Sequence, residues 1–368
     1  MKKAVGGNQK IASVGSVMTL DNAEEILSRG LVDFVAMARP FVADPEFMRK
    51  AAKGQNAEIR PCVRCNTCCG RSAFFKKTRC AVNPINGRET DFPTGRVGRA
   101  EEAKKVVIVG GGAAGMQAAI TATQRGHRVV LFEKEAVLGG TLNHATDLAF
   151  KKDLQNFLHW IVDQTLACGA DIRLGTEATP EAILAEQPDA LLLAVGATPF
   201  IPNVPGIDMP HVHWAGDVDC GRVPVGQKVV VVGGGLTGAE TALSLAMQGK
   251  DVTIVEMMGP EALLNGASLI NKFSLQSLLM QHHVRIIPHT KLEAVTEKGI
   301  RTINNRFQWQ DFEADTVALA LGMRPRRDTV AALRDLLPAT EVYDIGDCHQ
   351  IGTVYAAVHA GFDTAVAL

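Results

Sequence analysis

One structural unit occurs twice in this chain. An apolar run, a glycine loop, a helical stretch and a second apolar run ending in glutamate occur first over residues 106–133 and again over residues 229–256. Continuous β-branched runs such as these are typical of buried parallel strands. Repetition of a whole strand–loop–helix–strand unit excludes a single-domain chain and predicts an α/β fold.

The composition narrows the class of protein. Among 368 residues, 46% are hydrophobic and 21% charged, the balance of a soluble globular chain. The net charge of −1 gives no bulk field for nucleic acid or an acidic membrane. Aromatic residues make up only 5%, which weighs against base-stacking surfaces. No apolar stretch has the length of a membrane span, and the first residues show no signal-peptide pattern. A cytoplasmic location is therefore expected.

Both glycine loops have the spacing G-x-G-x-x-G. The first consists of Gly110, Gly112 and Gly115. In such a loop one glycine permits a tight turn, the next lets the backbone approach a pyrophosphate, and the third lets helix and strand pack closely. The second loop, formed by Gly233, Gly235 and Gly238, repeats the spacing. Each loop precedes a helix whose N-terminal N–H groups favour phosphate, so the sequence predicts two dinucleotide sites.

A glutamate ends the second strand of each unit. Glu133 and Glu256 are placed to accept hydrogen bonds from adenosine ribose hydroxyls. Glu256 would repel a 2′-phosphate, so NADH is expected at the second site rather than NADPH. Lys250, near in sequence, could compensate for that repulsion.

Two dinucleotide sites, the second nested in the first, resemble the pyridine-nucleotide-dependent flavoprotein reductases, which bind FAD at the first site and NAD(P)H at the second. The segments 139–141 (GGT), 196–199 (GATP) and 346–347 (GD) fit that resemblance. No C-x-x-C pair follows Gly140, so the disulfide reductases are disfavoured. The resemblance implies FAD contacts at Gly110, Gly112, Ala113, Ala114, Gly115, Glu133, Lys134, Gly140, Thr141, Gly196, Ala197, Gly346 and Asp347, and NAD contacts at Gly233, Gly235, Leu236, Thr237, Gly238 and Glu256.

The cysteines are concentrated in one segment. Five of the eight lie between residues 62 and 80, which indicates a metal or cluster site rather than a secreted disulfide framework. Four thiolates suit zinc or a [4Fe–4S] cluster, and three close cysteines with a distant fourth favour the cluster. The predicted ligands are Cys62, Cys65, Cys68 (or Cys69, which spacing alone does not distinguish) and Cys80. The remaining cysteines, Cys168, Cys220 and Cys348, are expected to be buried structural thiols.

The cysteine segment and its neighbours resemble a more specific family. RPCVRCNTCCGR…RCAVNP, preceded by MARPF and followed by a flavin-type unit, is similar to the long old-yellow-enzyme family, which includes 2,4-dienoyl-CoA reductase, trimethylamine dehydrogenase and bacterial enoate reductases. In that family an N-terminal TIM barrel carries FMN and substrate, and a [4Fe–4S] segment, an FAD domain and an NADH domain follow. Residues 11–50 match its last two strands, which implies FMN-phosphate contacts at Gly15, Ala38 and Arg39.

The implied organisation has four parts. Residues 1–58 are the remnant of the FMN barrel, and 59–100 form the [4Fe–4S] segment. Residues 101–225 and 323–368 form the FAD domain, and 226–322 the NAD(P)H domain. Two βα units cannot close an eight-stranded barrel. The chain is therefore expected to be either a fragment or the partner of a separate barrel chain, with apolar faces of the remnant exposed.

The resemblance implies an NADH-dependent flavin and iron–sulfur oxidoreductase of enoate or 2,4-dienoyl-CoA reductase type. This chain would be its electron-delivery half, passing hydride from NADH to FAD and single electrons to the [4Fe–4S] cluster and on to FMN, which requires the missing barrel. An organic acceptor such as an enoate or enoyl-CoA would react at that barrel, and no membrane or nucleic-acid partner is expected. No side chain is a convincing catalytic acid or base, since His144, His282 and His283 are expected to be structural.

Two alternatives remain from the sequence. A flavoprotein like the small subunit of glutamate synthase would also combine cysteine clusters with FAD and NAD(P)H domains, but it leaves MARPF unexplained. A non-catalytic appendage that binds only ADP, as in the trimethylamine dehydrogenase branch, is opposed by the intact second glycine loop and Glu256.

Overall fold

A computed structural model describes residues 9–335 and 340–368 of the chain. The first eight residues, which carry part of the expectation that no signal peptide is present and part of the predicted barrel remnant, lie outside the described residues. Within the described ranges no helix is long and apolar enough to cross a membrane.

The N-terminal region forms two βα units, as the sequence predicts. Its strands pair in parallel, with Ala12 opposite Phe34. Their outward side chains remain uncovered, since Val14 is 78% exposed and Phe34 58%. The elements are β1 (Ala12–Val14), α1 (Leu20–Ser28), β2 (Phe34–Ala36), α2 (Arg39–Ala43) and α3 (Phe47–Ala52).

The cysteine segment is irregular apart from one short helix, α4 (Thr67–Ala73). Buried Asp44 fastens it to the N-terminal region by accepting the Arg60 N–H at 2.8 Å. At its other end, His359 Nε2 lies 2.9 Å from the carbonyl oxygen of Cys80. The segment therefore packs between the N-terminal units and the first nucleotide unit.

The first nucleotide unit is a five-stranded parallel sheet in the order β17-β6-β3-β4-β5. Helices cover it, and Phe157 and Trp160 of one of them lie in its core together with strand residues such as Ile108. Its strands are β3 (Lys105–Val109), β4 (Arg128–Phe132), β5 (Asp171–Arg173), β6 (Ala190–Leu193) and β17 (Glu341–Asp344). Its helices are α5 (Ala113–Gln124), α6 (Leu142–Ala145), α7 (Lys152–Ala167), α8 (Pro180–Ala185), α12 (Arg327–Asp335) and α13 (Val354–Ala367).

The second unit repeats this design with the order β11-β10-β9-β15-β8. Val212 of β8 pairs with Val317 of β15. The second sheet therefore takes one of its strands from before residue 226. Its strands are β8 (Val212–Trp214), β9 (Lys228–Val232), β10 (Asp251–Val255), β11 (Arg285–Ile287) and β15 (Thr316–Leu319). Its helices are α9 (Ala215–Asp219), α10 (Leu236–Met247) and α11 (Leu269–Gln281).

Two further sheets complete the second unit and its connections. An antiparallel meander, which the sequence did not predict, covers the face of the second sheet opposite the helices, where Val230 packs with Leu292 and Ile300. The two crossings between units pair with each other, Ala197 opposite Pro325, so the second unit is nested within the first. These strands are β12 (Thr290–Thr296), β13 (Gly299–Asn304), β14 (Trp309–Glu313), β7 (Ala197–Pro199) and β16 (Met323–Pro325).

Candidate functional site

The first glycine loop has no room for side chains at its outer two glycines. Gly110 has φ +106°, and a Cβ there would lie 2.4 Å from the carbonyl oxygen of Ala194. A Cβ on Gly115 would lie 1.9 Å from the carbonyl oxygen of Gly110. These glycines allow the start of α5 to pack directly on the ends of β3 and β6.

The middle glycine of the loop faces open space. Gly112 is extended, with φ −75° and ψ −177°, and a Cβ there would meet nothing within 4 Å. It precedes the first turn of α5, whose backbone N–H groups have no partner within the helix. Gly139 borders this space, donating its N–H to the carbonyl oxygen of Gly111 at 2.9 Å. The loop thus has the room and the donors for a pyrophosphate.

The second loop repeats this geometry almost atom for atom. Gly233 has φ +105°, and its Cβ would lie 2.5 Å from the carbonyl oxygen of Ala320. A Cβ on Gly238 would lie 1.9 Å from the carbonyl oxygen of Gly233, whereas one on Gly235 would meet nothing within 4 Å. Leu236 and Thr237 form the first turn of α10 beside this opening. The second loop can receive a pyrophosphate for the same reasons as the first.

Both predicted ribose-binding glutamates are already hydrogen-bonded to backbone. Glu133 accepts the N–H groups of Gly111 and Glu135 at 2.7 and 2.8 Å. Glu256 accepts those of Gly234 and Met258, both at 2.7 Å. Each carboxylate therefore fastens the end of a strand to the glycine loop. Because a carboxylate oxygen accepts more than one hydrogen bond, both glutamates retain capacity for ribose hydroxyls.

Lys250 is not available to compensate for Glu256. Its ammonium group donates to the carbonyl oxygens of Val225 and Gly226, both at 2.9 Å. It immediately precedes β10, whereas Glu256 immediately follows that strand. The two side chains therefore lie at opposite ends of the sheet, and the compensation considered from the sequence is wrong.

The late G-D segment lies beside the first loop. A Cβ on Gly346 would lie 2.9 Å from the Cβ of Ala114 in the first turn of α5. Asp347 accepts the Gly352 N–H at 3.0 Å, and burial raises the pKa of its carboxyl group. The segment at Gly196 and Ala197 follows β6 and begins the crossing to the second unit.

The other predicted FAD contacts lie in the first loop, beside it, or on the exposed surface after β4. A Cβ on Gly140 would lie 3.2 Å from the Cα of Gly112, and Thr141 precedes α6. Ala113 and Ala114 begin α5. Lys134 is exposed and pairs with Glu135 at 3.6 Å.

Helix α6, which follows the glycine-rich segment 139–141, contacts the second unit. The ring of His144 lies 4.9 Å from that of Trp214, and its Nε2 lies 2.7 Å from an Arg222 guanidinium nitrogen. Burial lowers the pKa of His144, and the charge of Arg222 lowers it further. Nδ1 of this histidine is buried without a partner among the described residues. His144 is thus a contact between the two units, and only one of its ring nitrogens is satisfied.

Charged groups that the sequence analysis missed also meet at this boundary. Lys151 of the first unit pairs with Glu240 of α10 at 2.5 Å. Asp219 accepts a hydrogen bond from the Thr241 hydroxyl at 2.9 Å, while its other carboxyl oxygen is buried without a partner among the described residues. Burial raises the pKa of Asp219 to about 7. The position of Glu240 two residues after the last fingerprint glycine is the one sequence signal that could have drawn attention to it.

The isolated cysteines only partly match expectation. Cys348 is buried, and its thiol lies 3.1 Å from the carbonyl oxygen of Leu193. Cys168 and Cys220 are half-buried. Burial raises the pKa of Cys220 to about 12, which makes it an unreactive thiol.

All five clustered cysteines are free thiols. Burial raises the pKa of Cys62 to about 11, with a further increase from Cys80 and Cys65. Burial likewise raises the pKa of Cys68 to about 12, with contributions from Cys69 and Cys80. No group of three histidine, cysteine or acidic side chains in the described ranges is close enough to hold a metal ion.

The surroundings of these thiols fit an anionic group. Arg64 and Asn66 have φ +48° and +58°, so the backbone turns sharply between the cysteines. Such alternation gathers N–H groups around a concavity, as at many iron–sulfur sites. Nε of Arg60 is buried without a partner in the described part of the chain. Burial raises the pKa of the Cys80 thiol, and the charge of Arg60 offsets part of that rise. A buried cation with an unused donor suits a set of thiolates.

The predicted FMN-phosphate residues share one edge. Gly15 follows β1 and Ala38 follows β2, and these strands are paired in parallel. Arg39 does not point into open space, because its guanidinium donates to Asn66 Oδ1 at 2.8 Å. It therefore links the N-terminal units to the cysteine segment.

Comparison with known proteins gives matches over nearly the whole chain. Residues 104–361 match the family described as pyridine nucleotide-disulphide oxidoreductase. An NADH oxidase of Thermoanaerobacter brockii is 36% identical over 99% of this chain and 56% of its own length. A bilirubin reductase of Mediterraneibacter gnavus is 37% identical over 96% of this chain and 54% of its own.

A solved structure extends this likeness to the fold. A 2-naphthoyl-CoA reductase, in complex with 2-naphthoyl-CoA, superposes with a TM-score of 0.92 at 30% identity, covering 100% of this chain and 55% of that protein. The chain thus spans about half the length of the relatives that it matches.

Proposed function

Because the chain belongs to the pyridine nucleotide-disulphide oxidoreductase family, whose members bind FAD and NAD(P)H, we propose that it is the electron-delivery half of an NADH-dependent flavin and iron–sulfur reductase. The observation that carries this proposal is the matched pair of glycine loops, each with an open middle glycine and a glutamate bound to its backbone.

The first loop is assigned to FAD and the second to NADH. Support for FAD comes from the segments that surround the first loop. A Cβ on Gly140 would lie 3.2 Å from the Cα of Gly112, and a Cβ on Gly346 would lie 2.9 Å from the Cβ of Ala114. Both segments are therefore in van der Waals contact with the loop or with the first turn of α5.

Support for NADH comes from Glu256, whose carboxylate would repel a 2′-phosphate. Lys250, the cation considered for compensation, is instead bound to the carbonyl oxygens of Val225 and Gly226.

The residues of the chain would bind and orient the two cofactors. The loop N–H groups hold the phosphates, and Glu133 and Glu256 hold the riboses. The boundary formed by α6, α9 and α10 brings the segment after Gly140 against the second unit, with Lys151 and Glu240 paired across it. When bound, FAD accepts a hydride and releases its electrons one at a time, which is chemistry that no side chain supplies.

Cys62, Cys65, Cys68 and Cys80 would hold the [4Fe–4S] cluster, which relays single electrons when present. Their fit is supported by free thiols, by the turns at Arg64 and Asn66, and by the buried Arg60. We assign Cys68 rather than Cys69 as the third ligand on the basis of the eleven residues that separate Cys68 from Cys80.

The acceptor side of the reaction requires more protein. The relatives extend well beyond the matched region, and the exposed faces of β1 and β2 fit continuation of a barrel. We propose that this barrel, on the same or a separate chain, carries FMN against Gly15, Ala38 and Arg39 and binds an enoate, an enoyl-CoA or a similar acceptor.

The visible spectrum of the anaerobically purified chain, recorded before and after addition of NADH, tests the proposal. Flavin bands with a broad iron–sulfur shoulder, bleached by NADH, are expected. A colourless protein after reconstitution with FAD, iron and sulfide, or a yellow protein that NADH does not bleach, would contradict it.

The ligand assignment has its own matched test. Cys68→Ser is expected to lose iron and the broad shoulder, whereas Cys69→Ser keeps both, and both variants keep FAD. Loss of the shoulder in Cys69→Ser alone would transfer the ligand role to Cys69. Zinc in place of iron and sulfide in the native protein would overturn the cluster.

A further inference from the structure

We propose that a cationic loop, residues 71–79, is a docking surface for an acidic one-electron carrier protein. The loop begins in the last turn of α4 and ends immediately before Cys80. Its residues 72–77 are all exposed. Because the loop joins Cys68 to Cys80, a protein seated on it would lie close to the cluster that these cysteines are proposed to hold.

Positive charge is concentrated in this part of the chain. Residues 59–88 contain seven of the 38 Lys and Arg residues and none of the 39 acidic residues. Some of these cations are neutralised within the protein, as Arg64 is by Asp153. Lys76 and Lys77, by contrast, are exposed and form no ion pair within the described part of the chain. Unpaired surface cations of this kind attract and orient an acidic partner.

Hydrogen bonds across the cationic loop give it a fixed shape. Nε of Arg71 donates to the carbonyl oxygen of Lys77 at 2.8 Å. The hydroxyl oxygens of Ser72 and Thr78 lie 2.9 Å apart. The two sides of the loop are therefore joined, and a partner that binds it has less chain to order.

An exposed aromatic pair lies beside the two lysines. Phe74 is 64% exposed, and Phe75 is fully exposed. Phe75 has φ +55° at the position after the end of α4, where glycine is preferred. The N–H of Lys76 still donates to the carbonyl oxygen of Arg71 at 2.9 Å, as at a helix end that carries glycine. Aromatic side chains surrounded by charge are typical anchors of protein interfaces.

The cationic loop lies at the opposite end of α4 from the edge assigned to FMN. Arg39, at that edge, binds Asn66, which immediately precedes α4. The loop follows the other end of this helix, and seven helical residues span about 10 Å. A barrel that continues from β1 and β2 therefore need not cover the loop, whereas the loop stays within one helix length of Cys68.

The electron exchange at this surface rests on the proposed function. In each encounter one electron would pass from the reduced carrier to the cluster held by the cysteines, so the carrier is oxidised and the cluster is reduced. No bond forms or breaks, and no proton moves. Electrons could then enter the chain without NADH. Weak redox partners use interfaces below about 1,200 Å², which suits a loop of this size.

Binding of oxidised flavodoxin, a small acidic carrier, to the full chain tests the surface directly. One flavodoxin per chain is expected to bind, with an affinity that falls about tenfold between roughly 50 and 200 mM salt. Cytochrome c, a basic carrier, should not bind. Joint replacement by Lys76→Glu and Lys77→Glu should weaken flavodoxin binding about tenfold or more.

The matched control places the same charge change on the antiparallel meander, where Lys298 and Arg306 are also exposed. Joint replacement by Lys298→Glu and Arg306→Glu should change flavodoxin affinity less than about twofold. Equal losses in the two double variants would show attraction by overall charge alone. That result, or the absence of saturable flavodoxin binding, would overturn the proposal.

Phe75→Gly separates docking from folding. Because glycine suits φ +55°, the variant is expected to unfold at the same or a higher urea concentration, while flavodoxin binds about fivefold more weakly. Phe307→Gly is the matched control, since Phe307 is 84% exposed at φ +59° but lies in the meander. Its flavodoxin affinity should equal that of the parent chain. Unchanged affinity in Phe75→Gly would overturn the role of the aromatic pair.

Electron exchange is measured without NADH, by mixing fully reduced flavodoxin with the cluster-containing chain. Formation of the blue, one-electron-oxidised form of flavodoxin is expected with the parent chain, and at least about tenfold more slowly with the variant that carries both Lys76→Glu and Lys77→Glu. Binding without formation of the blue form would overturn the exchange of electrons. A chain without iron and sulfide would contradict the proposed function but not the docking surface, because binding of oxidised flavodoxin requires no cofactor of this chain.

Discussion

The two nucleotide units differ little at their glycine loops and much around them. The φ values of Gly110 and Gly233 agree within one degree, and the forbidden Cβ positions of Gly115 and Gly238 lie at the same 1.9 Å from the loop carbonyl. Around the first loop, α13 crosses α5 so closely that a Cβ on Gly361 would lie 2.2 Å from the carbonyl oxygen of Ala114. The second unit has an antiparallel meander on the opposite face and a cavity under its loop.

This difference shows that the glycine loop and the elements around it have separate roles. The fingerprint determines how the backbone receives a pyrophosphate, so it is the same in both units. The surrounding elements determine how much of the rest of a nucleotide is enclosed. Enclosure by α13 and the segment at Gly346 suits a cofactor that stays bound, and the more open second loop suits one that enters and leaves.

Replacement of the third glycine should have the largest effect and should be equal in the two units. Gly115→Ala and Gly238→Ala each force a Cβ against a backbone carbonyl, and each is expected to lower the free energy of unfolding by about 3 kcal/mol. Urea unfolding measures the loss. Gly98→Ala, where a Cβ meets nothing within 4 Å, is the control. A much smaller loss of unfolding free energy in one variant than in the other would show that the two loops are not equivalent.

Removal of the charge of either Glu133 or Glu256 should weaken the binding of one cofactor and leave the other bound. Glu256→Gln is expected to weaken NADH binding about tenfold without loss of FAD, because an amide cannot accept all the hydrogen bonds of the carboxylate. Glu133→Gln should instead reduce FAD retention. Equilibrium titration and flavin content measure these effects. Equal loss of both cofactors in either variant would contradict independent sites.

The boundary between the units should make the free energy of unfolding depend on pH. Burial raises the pKa of Asp219 to about 7, from about 3.9 in the unfolded chain. The stability that this group contributes is therefore fully present below about pH 4 and is lost as the pH rises through 7. Asp219→Asn is expected to remove about 1 kcal/mol of the loss between pH 5 and pH 8. Urea unfolding at both pH values measures it, with Asp217→Asn as control, and an unchanged profile in Asp219→Asn would contradict the assignment.

Lys250→Ala should have the smallest effect on nucleotide choice. Because Lys250 is bound to the carbonyl oxygens of Val225 and Gly226, the ratio of NADPH to NADH affinity is expected to stay within about twofold. A large change in that ratio would place the lysine near the ribose after all.

The sequence predicted the features whose chemistry is local. The glycine spacing, the glutamates after β4 and β10 and the βα units at the N-terminus all follow from short patterns, and the structure contains each of them. Long-range pairings were not accessible in this way. The membership of β8 in the second sheet depends on a register with β15 more than a hundred residues later.

The boundary between the units shows the same limit. Lys151 and Glu240 are ordinary helical charges in sequence, and only the packing of the units makes them partners. The sequence also placed Lys250 near Glu256, although a strand of five residues separates their side chains by its full length.

The central claim is that two loops of one geometry bind two different nucleotides independently. Gly112→Ala and Gly235→Ala test it most directly, because a Cβ at either position meets no protein atom within 4 Å but enters the space left for a pyrophosphate. Flavin content and NADH-driven bleaching are measured for both variants. The account predicts that Gly112→Ala loses FAD while still binding NADH, and that Gly235→Ala keeps an FAD that dithionite reduces and NADH does not. Loss of FAD in Gly235→Ala, or reduction by NADH as fast as in the parent chain, would contradict it.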